Sequence, residues 1–130
     1  MSSATPNVLV VEDEAPIMAT YRVFLNSMGL QTEELDHRGK AVEEIVASIE
    51  NSIARVLILD GQYSNGSAAD ILGRIAHTNK KAVVVTASDT VVKQVNAMFP
   101  ETRTFLKGSR EADLRVISKL VHDYVQELAA

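Results

Sequence analysis

Short apolar runs alternate along the chain with longer stretches of helical period, the pattern of βα units wound around a parallel sheet. The runs are Val8-Leu9-Val10-Val11, a more polar Gln31 to Leu35, Val56-Leu57-Ile58-Leu59, Ala82-Val83-Val84-Val85 and a short Thr104-Phe105-Leu106. Three of them are continuously apolar, as strands covered by helices on both faces must be, whereas Gln31 to Leu35 reads as an edge. The first helix is expected over roughly Ala15 to Met28, with Pro16 in its first turn, Gly29 as its stop, and Ile17, Tyr21, Phe24, Leu25 and Met28 inward. The second, roughly Gly39 to Glu50, places Val42, Ile45, Val46 and Ile49 on one side. A third, Ser67 to His77, carries Ile71, Leu72 and Ile75. The fourth, Asp89 to Phe99, carries Val91, Val92, Val95 and Met98 inward, is capped by Ser88 and Asp89, and ends before Pro100. The last, from about Glu111 to Leu128, turns Leu114, Ile117, Val121, Tyr124 and Leu128 inward. Five βα units result, with the longest irregular stretch, Gly61 to Gly66, after the central strand.

Length and composition narrow the class without changing this layout. A chain of 130 residues, 46% hydrophobic and 23% charged, is read as one domain over 1–130 with its core at about 7–128. Collagen-like, disordered and membrane-spanning classes drop out. The net charge of −4 supplies no reason to bind a nucleic-acid backbone. With no cysteine, disulfide and thiolate chemistry is excluded. Met1 to Asn7 shows neither a basic nor an apolar signal segment, so a cytoplasmic location is expected.

In an open parallel sheet, ligands bind where the strands end. Here the first strand runs into Glu12-Asp13-Glu14, the third into Asp60, the fourth into Thr86-Ala87-Ser88 and the fifth into Lys107. Crowded carboxylates repel one another and invite a hard divalent cation such as Mg2+. An aspartate beside such a cation can act as a nucleophile toward a phosphoryl donor, with a hydroxyl and an ammonium to receive the phosphoryl oxygens. Asp60, directly after four large apolar residues, is the carboxylate least easily read as a solvated surface group. By contrast, His37, His77 and His122 share no metal-ligand spacing, so they are assigned to the surface or to helix ends rather than to ligation or catalysis.

These pieces, in this order on alternating strands, resemble a response-regulator receiver domain of a two-component phosphorelay, of the stand-alone type. The resemblance covers nearly the whole chain. It implies a flavodoxin-like (βα)5 three-layer sandwich with a parallel five-stranded sheet of order 2-1-3-4-5. It also implies that Asp60 accepts phosphoryl from a histidine kinase or histidine phosphotransfer protein. Mg2+ would be held by Asp13, Asp60, the main-chain carbonyl of Gln62 and, directly or through water, Glu12. Thr86 would swing toward the phosphoryl oxygen and Lys107 would pair with it, switching contacts with a downstream protein, so that the chain signals rather than turns over a substrate.

Three positions depart from that family's pattern. Glycine, Gly108, follows the lysine where receivers carry proline, so that loop is expected to be freer. Thr104 stands where an aromatic switch residue is usual, with Phe105 expected to face the core. The loop after Asp60 keeps Gly66 but lacks the usual proline. The chemistry is therefore expected to be intact and the output step altered. Two other readings stand beside it: a receiver-like interaction module that works without phosphorylation, and a small phosphatase with an aspartate nucleophile, disfavoured because Gln62 occupies the position of its acid.

Overall fold

The structure, a computed structural model, describes residues 6–109 and 112–129; the start expected for the last helix at Glu111 and the segment 1–5 lie outside the described residues. The main strands are β1 (Val8–Val11), β2 (Thr32–Leu35), β3 (Val56–Asp60), β6 (Lys81–Thr86) and β7 (Arg103–Leu106). A two-residue pair, β4 (Gln62–Tyr63) and β5 (Gly66–Ser67), follows β3. The helices are α1 (Ala15–Ser27), α2 (Val42–Asn51), α3 (Ala68–Ile75), α4 (Asp89–Met98) and α5 (Leu114–Ala129). No described helix is long and apolar enough to cross a membrane.

All five main strands are parallel in the order β2-β1-β3-β6-β7, the expected order in chain terms. In register, Val8 faces Val56, Val11 faces Leu59 and Asp60 faces Val85, so the strands end together. Strand alternation sends successive side chains to opposite faces. Leu9, Val11, Leu57, Leu59 and Val84 therefore pack with α2, α3 and α4, while Val8, Val10, Val56, Ile58, Val83 and Val85 pack with α1 and α5. That double burial is why the central strands read as unbroken apolar runs, and it makes the fold a three-layer α/β sandwich of the flavodoxin-like (βα)5 kind.

Most expected faces are buried: the α2 stripe of Val42, Ile45, Val46 and Ile49 in full, and Ile71, Leu72 and Ile75 of α3. On α1, Met18 is buried as well, a residue outside the predicted stripe. The expected α4 stripe needs correction. Val91 and Val95 are buried, but Val92 is only half-buried and Met98 is 61% exposed. Helix α4 lies over the end of the sheet, against β6 and the edge strand β7, so only a narrow stripe of it has strand beneath. The third helix also stops earlier than its periodicity suggests, at Ile75, and passes into a 3-10 turn over Ala76–Thr78. Ser67 caps it, accepting the Ala69 N–H at 3.3 Å, while the Asp70 carboxylate accepts the Ser67 N–H at 2.8 Å.

The stretch expected to be irregular, Gly61 to Gly66, is instead a small antiparallel hairpin. Its tip binds across to α2. The Ser64 hydroxyl donates to the Lys40 carbonyl at 2.8 Å, and the Asn65 amide oxygen accepts the Val42 N–H at 2.7 Å. Helix α2 begins after Ala41, which has no side-chain acceptor, so its first N–H is capped from 23 residues away.

Candidate functional site

Parallel strands deliver their C-terminal residues to one edge, and this edge gathers Glu12, Asp13, Glu14, Asp60, Thr86 and Lys107. Glu12 is buried, and one of its oxygens accepts the N–H groups of Asp13 at 3.1 Å and Glu14 at 3.2 Å. Asp60 ends the central strand with its side chain 12% exposed. Its Oδ1 accepts the Gly61 N–H at 2.8 Å. The Lys107 ammonium lies 3.5 Å from that same Oδ1, 3.5 Å from Glu12 Oε1 and 3.3 Å from Glu14 Oε2. Of the residues named from the sequence, Glu12, Glu14 and Asp60 surround the Lys107 ammonium.

One ammonium cannot neutralise this many carboxylates. Burial, reinforced by the neighbouring charge of Asp60, holds the Glu12 carboxyl above its ordinary pKa, although Lys107 pulls the other way. Burial would by itself lower the pKa of Lys107, but Asp60, Glu12 and Glu14 together outweigh it and raise it. The edge therefore carries surplus negative charge, the condition under which a divalent cation binds. Two sets of ligand atoms here lie close enough to hold such an ion, Asp13 with His37 and Asp60, and Glu12 with Asp13 and Glu14, each set within 4.8 Å. Gln62 opens β4 beside Asp60 with its side chain in solvent.

Thr86 ends β6 at 1% exposure, and its hydroxyl oxygen accepts the Ser88 N–H at 3.0 Å. It packs against the bare backbone of Gly61, where a β-carbon would overlap the threonine side chain. Ser88 caps α4 as expected, accepting the Val91 N–H at 3.2 Å. Phe105 is buried in the core, and the Thr104 hydroxyl donates to the Asn96 side-chain oxygen at 3.1 Å, so no aromatic side chain stands at that position.

At the end of β7 the Lys107 N–H donates to the Thr86 carbonyl at 2.7 Å and the Ser109 N–H to the Leu106 carbonyl at 3.1 Å. Gly108 adopts φ +88°, a backbone that proline, locked near −65°, cannot take. One expectation is overturned at this edge, that of His37, which sequence reasoning assigned to the surface or a helix end. It is buried, with Nε2 2.9 Å from Asp60 Oδ2 and 3.9 Å from Asp13 Oδ1. Its ring meets Tyr63 edge-on at 4.6 Å between centroids. The neighbours explain the inward turn: Asp36 and Arg38 pair with each other outside at 2.8 Å, and Gly39 reverses the chain at φ +73°. His37 lies in the segment between β2 and α2, so no spacing rule links it to Asp60, 23 residues on. His77 is as expected, 62% exposed and paired with Glu50 at 2.9 Å, whereas His122 departs from the expectation: it lies half-buried in the middle of α5, its Nδ1 3.8 Å from Asp123.

The fold, an open parallel sheet with its acidic residues and lysine at the carboxyl edge, is shared by solved response-regulator receiver domains. The chain matches a receiver domain protein (CheY-like) from Methanospirillum hungatei JF-1 at a TM-score of 0.72 and 18% identity, covering 97% of this chain and 98% of that one. It matches a response regulator receiver protein from Pseudomonas putida at 0.70 and 24% identity, covering 94% and 99%. A third match is the response regulator TrrA from Thermotoga maritima in complex with Mg2+-BeF, at 0.66 and 19% identity, covering 90% and 99%. No protein-family model matches the chain, and no curated protein is similar to it in sequence. A de novo designed Rossmann 2x3 protein also matches, at 0.68 and 12% identity over 97% of this chain and 94% of that one. The scaffold alone therefore carries no chemistry, and function must be argued from the site.

Proposed function

We propose that the chain is a phosphoacceptor receiver domain in two-component signalling, in which Asp60 takes a phosphoryl group from a phosphohistidine of a histidine kinase or histidine phosphotransfer protein. The observation that carries this reading is the pairing of a nearly buried Asp60 carboxylate with the Lys107 ammonium, 3.5 Å apart at the end of the central strand. In the transfer, a carboxylate oxygen of Asp60 bonds to phosphorus while the bond to the donor imidazole nitrogen breaks; with the donor's other ring nitrogen protonated, the ring leaves as neutral histidine and Asp60 becomes an aspartyl phosphate.

Each neighbour then has a task. Lys107 balances charge on the incoming oxygens, the Gly61 N–H steadies Asp60 Oδ1, and the Thr86 hydroxyl, which accepts the Ser88 N–H, has its own hydrogen to donate to a phosphoryl oxygen. Asp13, Asp60, the Gln62 main-chain carbonyl and Glu12, directly or through water, would hold the divalent cation, Mg2+ in the simplest case. When bound, that cation offsets charge between the carboxylates and the phosphoryl oxygens. A new group of charge about −2 beside Thr86 and Lys107 draws both toward it and biases the start of α4 and the loop after β7, where a downstream protein would read the change. On this reading the chain is a cytoplasmic switch and not a turnover enzyme.

Incubation with Mg2+ and acetyl phosphate should add one phosphoryl group by intact mass, absent in Asp60→Asn. An unmodified mass on verified folded protein, with Mg2+ or Mn2+ present, would overturn this reading in favour of an interaction module that works without phosphorylation.

A further inference from the structure

The two oxygens of Asp60 face different partners. Oδ1 faces Lys107 and the Gly61 N–H, whereas Oδ2 faces the His37 imidazole, on the side of Asp13. We propose that His37 is a nitrogen ligand of this cation site, which therefore takes a borderline transition-metal dication, of the Mn2+, Co2+ or Zn2+ type, in preference to Mg2+. The proposal rests on the reading of Asp13 and Asp60 as metal ligands.

Ligand atoms of Asp13, His37 and Asp60 all lie within 4.8 Å of one another. Around an ion with bonds of about 2.1 Å, neighbouring ligands stand about 3.0 Å apart in octahedral and about 3.4 Å in tetrahedral geometry. The observed separations of 2.9 Å and 3.9 Å bracket those values; on binding an ion, Nε2 would exchange its hydrogen bond to Asp60 Oδ2 for a bond to the metal that Oδ2 shares. The imidazole is also fixed in advance. Its side chain is 7% exposed, Tyr63 flanks the ring, and the Lys40 N–H closes a turn on the His37 carbonyl at 3.0 Å. Swinging the ring out would give up that burial and its edge-on contact with Tyr63.

Donor chemistry then sets the preference. Mg2+ favours hard oxygen ligands and retains water, while imidazole nitrogen favours Zn2+, Co2+ and their neighbours in the first transition row. Two carboxylates with one imidazole make a mixed nitrogen and oxygen set, which an all-oxygen edge would not offer. If His37 only donates a hydrogen bond to Asp60, its removal should leave the ranking of ions unchanged.

The test uses the tag-free metal-free chain, titrated calorimetrically with MgCl2, MnCl2, CoCl2 and ZnCl2, alongside His37→Asn, His37→Gln and Asp13→Asn. Co2+ and Zn2+ are expected to bind about tenfold or more tighter than Mg2+, and His37→Asn to remove about tenfold for Co2+ with little change for Mg2+. As a check free of any folding defect, the His37 ring nitrogen resonance in the unaltered chain should shift on Zn2+ addition. Unchanged Co2+ affinity in both His37 variants, or a ring nitrogen that ignores Zn2+, would overturn the proposal. If Asp13→Asn still weakens every ion in that case, only the role of His37 fails; if Asp13→Asn changes nothing, the cation site itself fails, and the proposal with it.

Discussion

The backbone of Gly61 passes so close to Thr86 that a β-carbon there would overlap both the threonine hydroxyl oxygen and its β-carbon. This contact holds the hydroxyl beside the residue that follows Asp60. Gly61→Ala should therefore destabilise the chain by about 1–3 kcal/mol, as overpacking does, and displace Thr86. Since alanine retains a β-carbon, Thr86→Ala in the same background should bring no recovery. Denaturant melts of the two single variants and the double variant check this, and a double variant more stable than Gly61→Ala would contradict it.

Lys107 stands between Glu12, Glu14 and Asp60, and without it the Glu12 and Asp60 carboxylates repel each other with no ammonium between them. Lys107→Ala should cost about 1–3 kcal/mol in metal-free buffer, less than a fully buried pair because the ammonium is 22% exposed. A divalent cation should restore a larger share of stability to this variant than it adds to the unaltered chain. Thermal melts with and without the ion measure both quantities.

At Gly108 the constraint is the positive φ, since among the described residues a β-carbon there would meet nothing within 4 Å. Gly108→Ala should cost about 1–2 kcal/mol from backbone strain alone, and Gly108→Pro more, because the ring forbids that φ outright. Equilibrium unfolding of the pair tests the order. Equal stability of the proline variant would show that the loop has another conformation open to it.

The Asn65 cap on Val42 predicts a loss of about 0.5–2 kcal/mol in Asn65→Ala, with amide exchange quickening first at the start of α2. Uniform quickening across the chain would instead point to a global effect.

Arg22 forms two hydrogen bonds to the Glu34 carboxylate at the rim of the acidic pocket. Those bonds hold the Glu34 carboxyl below its usual pKa of 4.5, against the opposing effect of burial. A carboxyl with a lowered folded pKa contributes stability that is present above its unfolded value and is lost as pH falls through the folded one. Stability of the unaltered chain should thus drop more steeply below pH 4.5 than that of Arg22→Gln, with the two curves parallel above it. Urea midpoints across that range decide the matter.

Alternation and run length along the chain determined the strands, the two-sided burial of the sheet and the residues that end each strand, because those follow from local pattern and the parity of side chains. That sufficed to place Glu12, Asp13, Asp60, Thr86 and Lys107 on one edge. Tertiary structure decided what depends on separation in space. His37 turns inward because its neighbours pair outside and Tyr63 receives its ring. Asn65 caps a helix 23 residues before it, and Met98 lies exposed because the sheet ends beneath α4. Sequence spacing carries the geometry of a single element, but the meeting of two distant segments is set by how those elements pack, which no local period records.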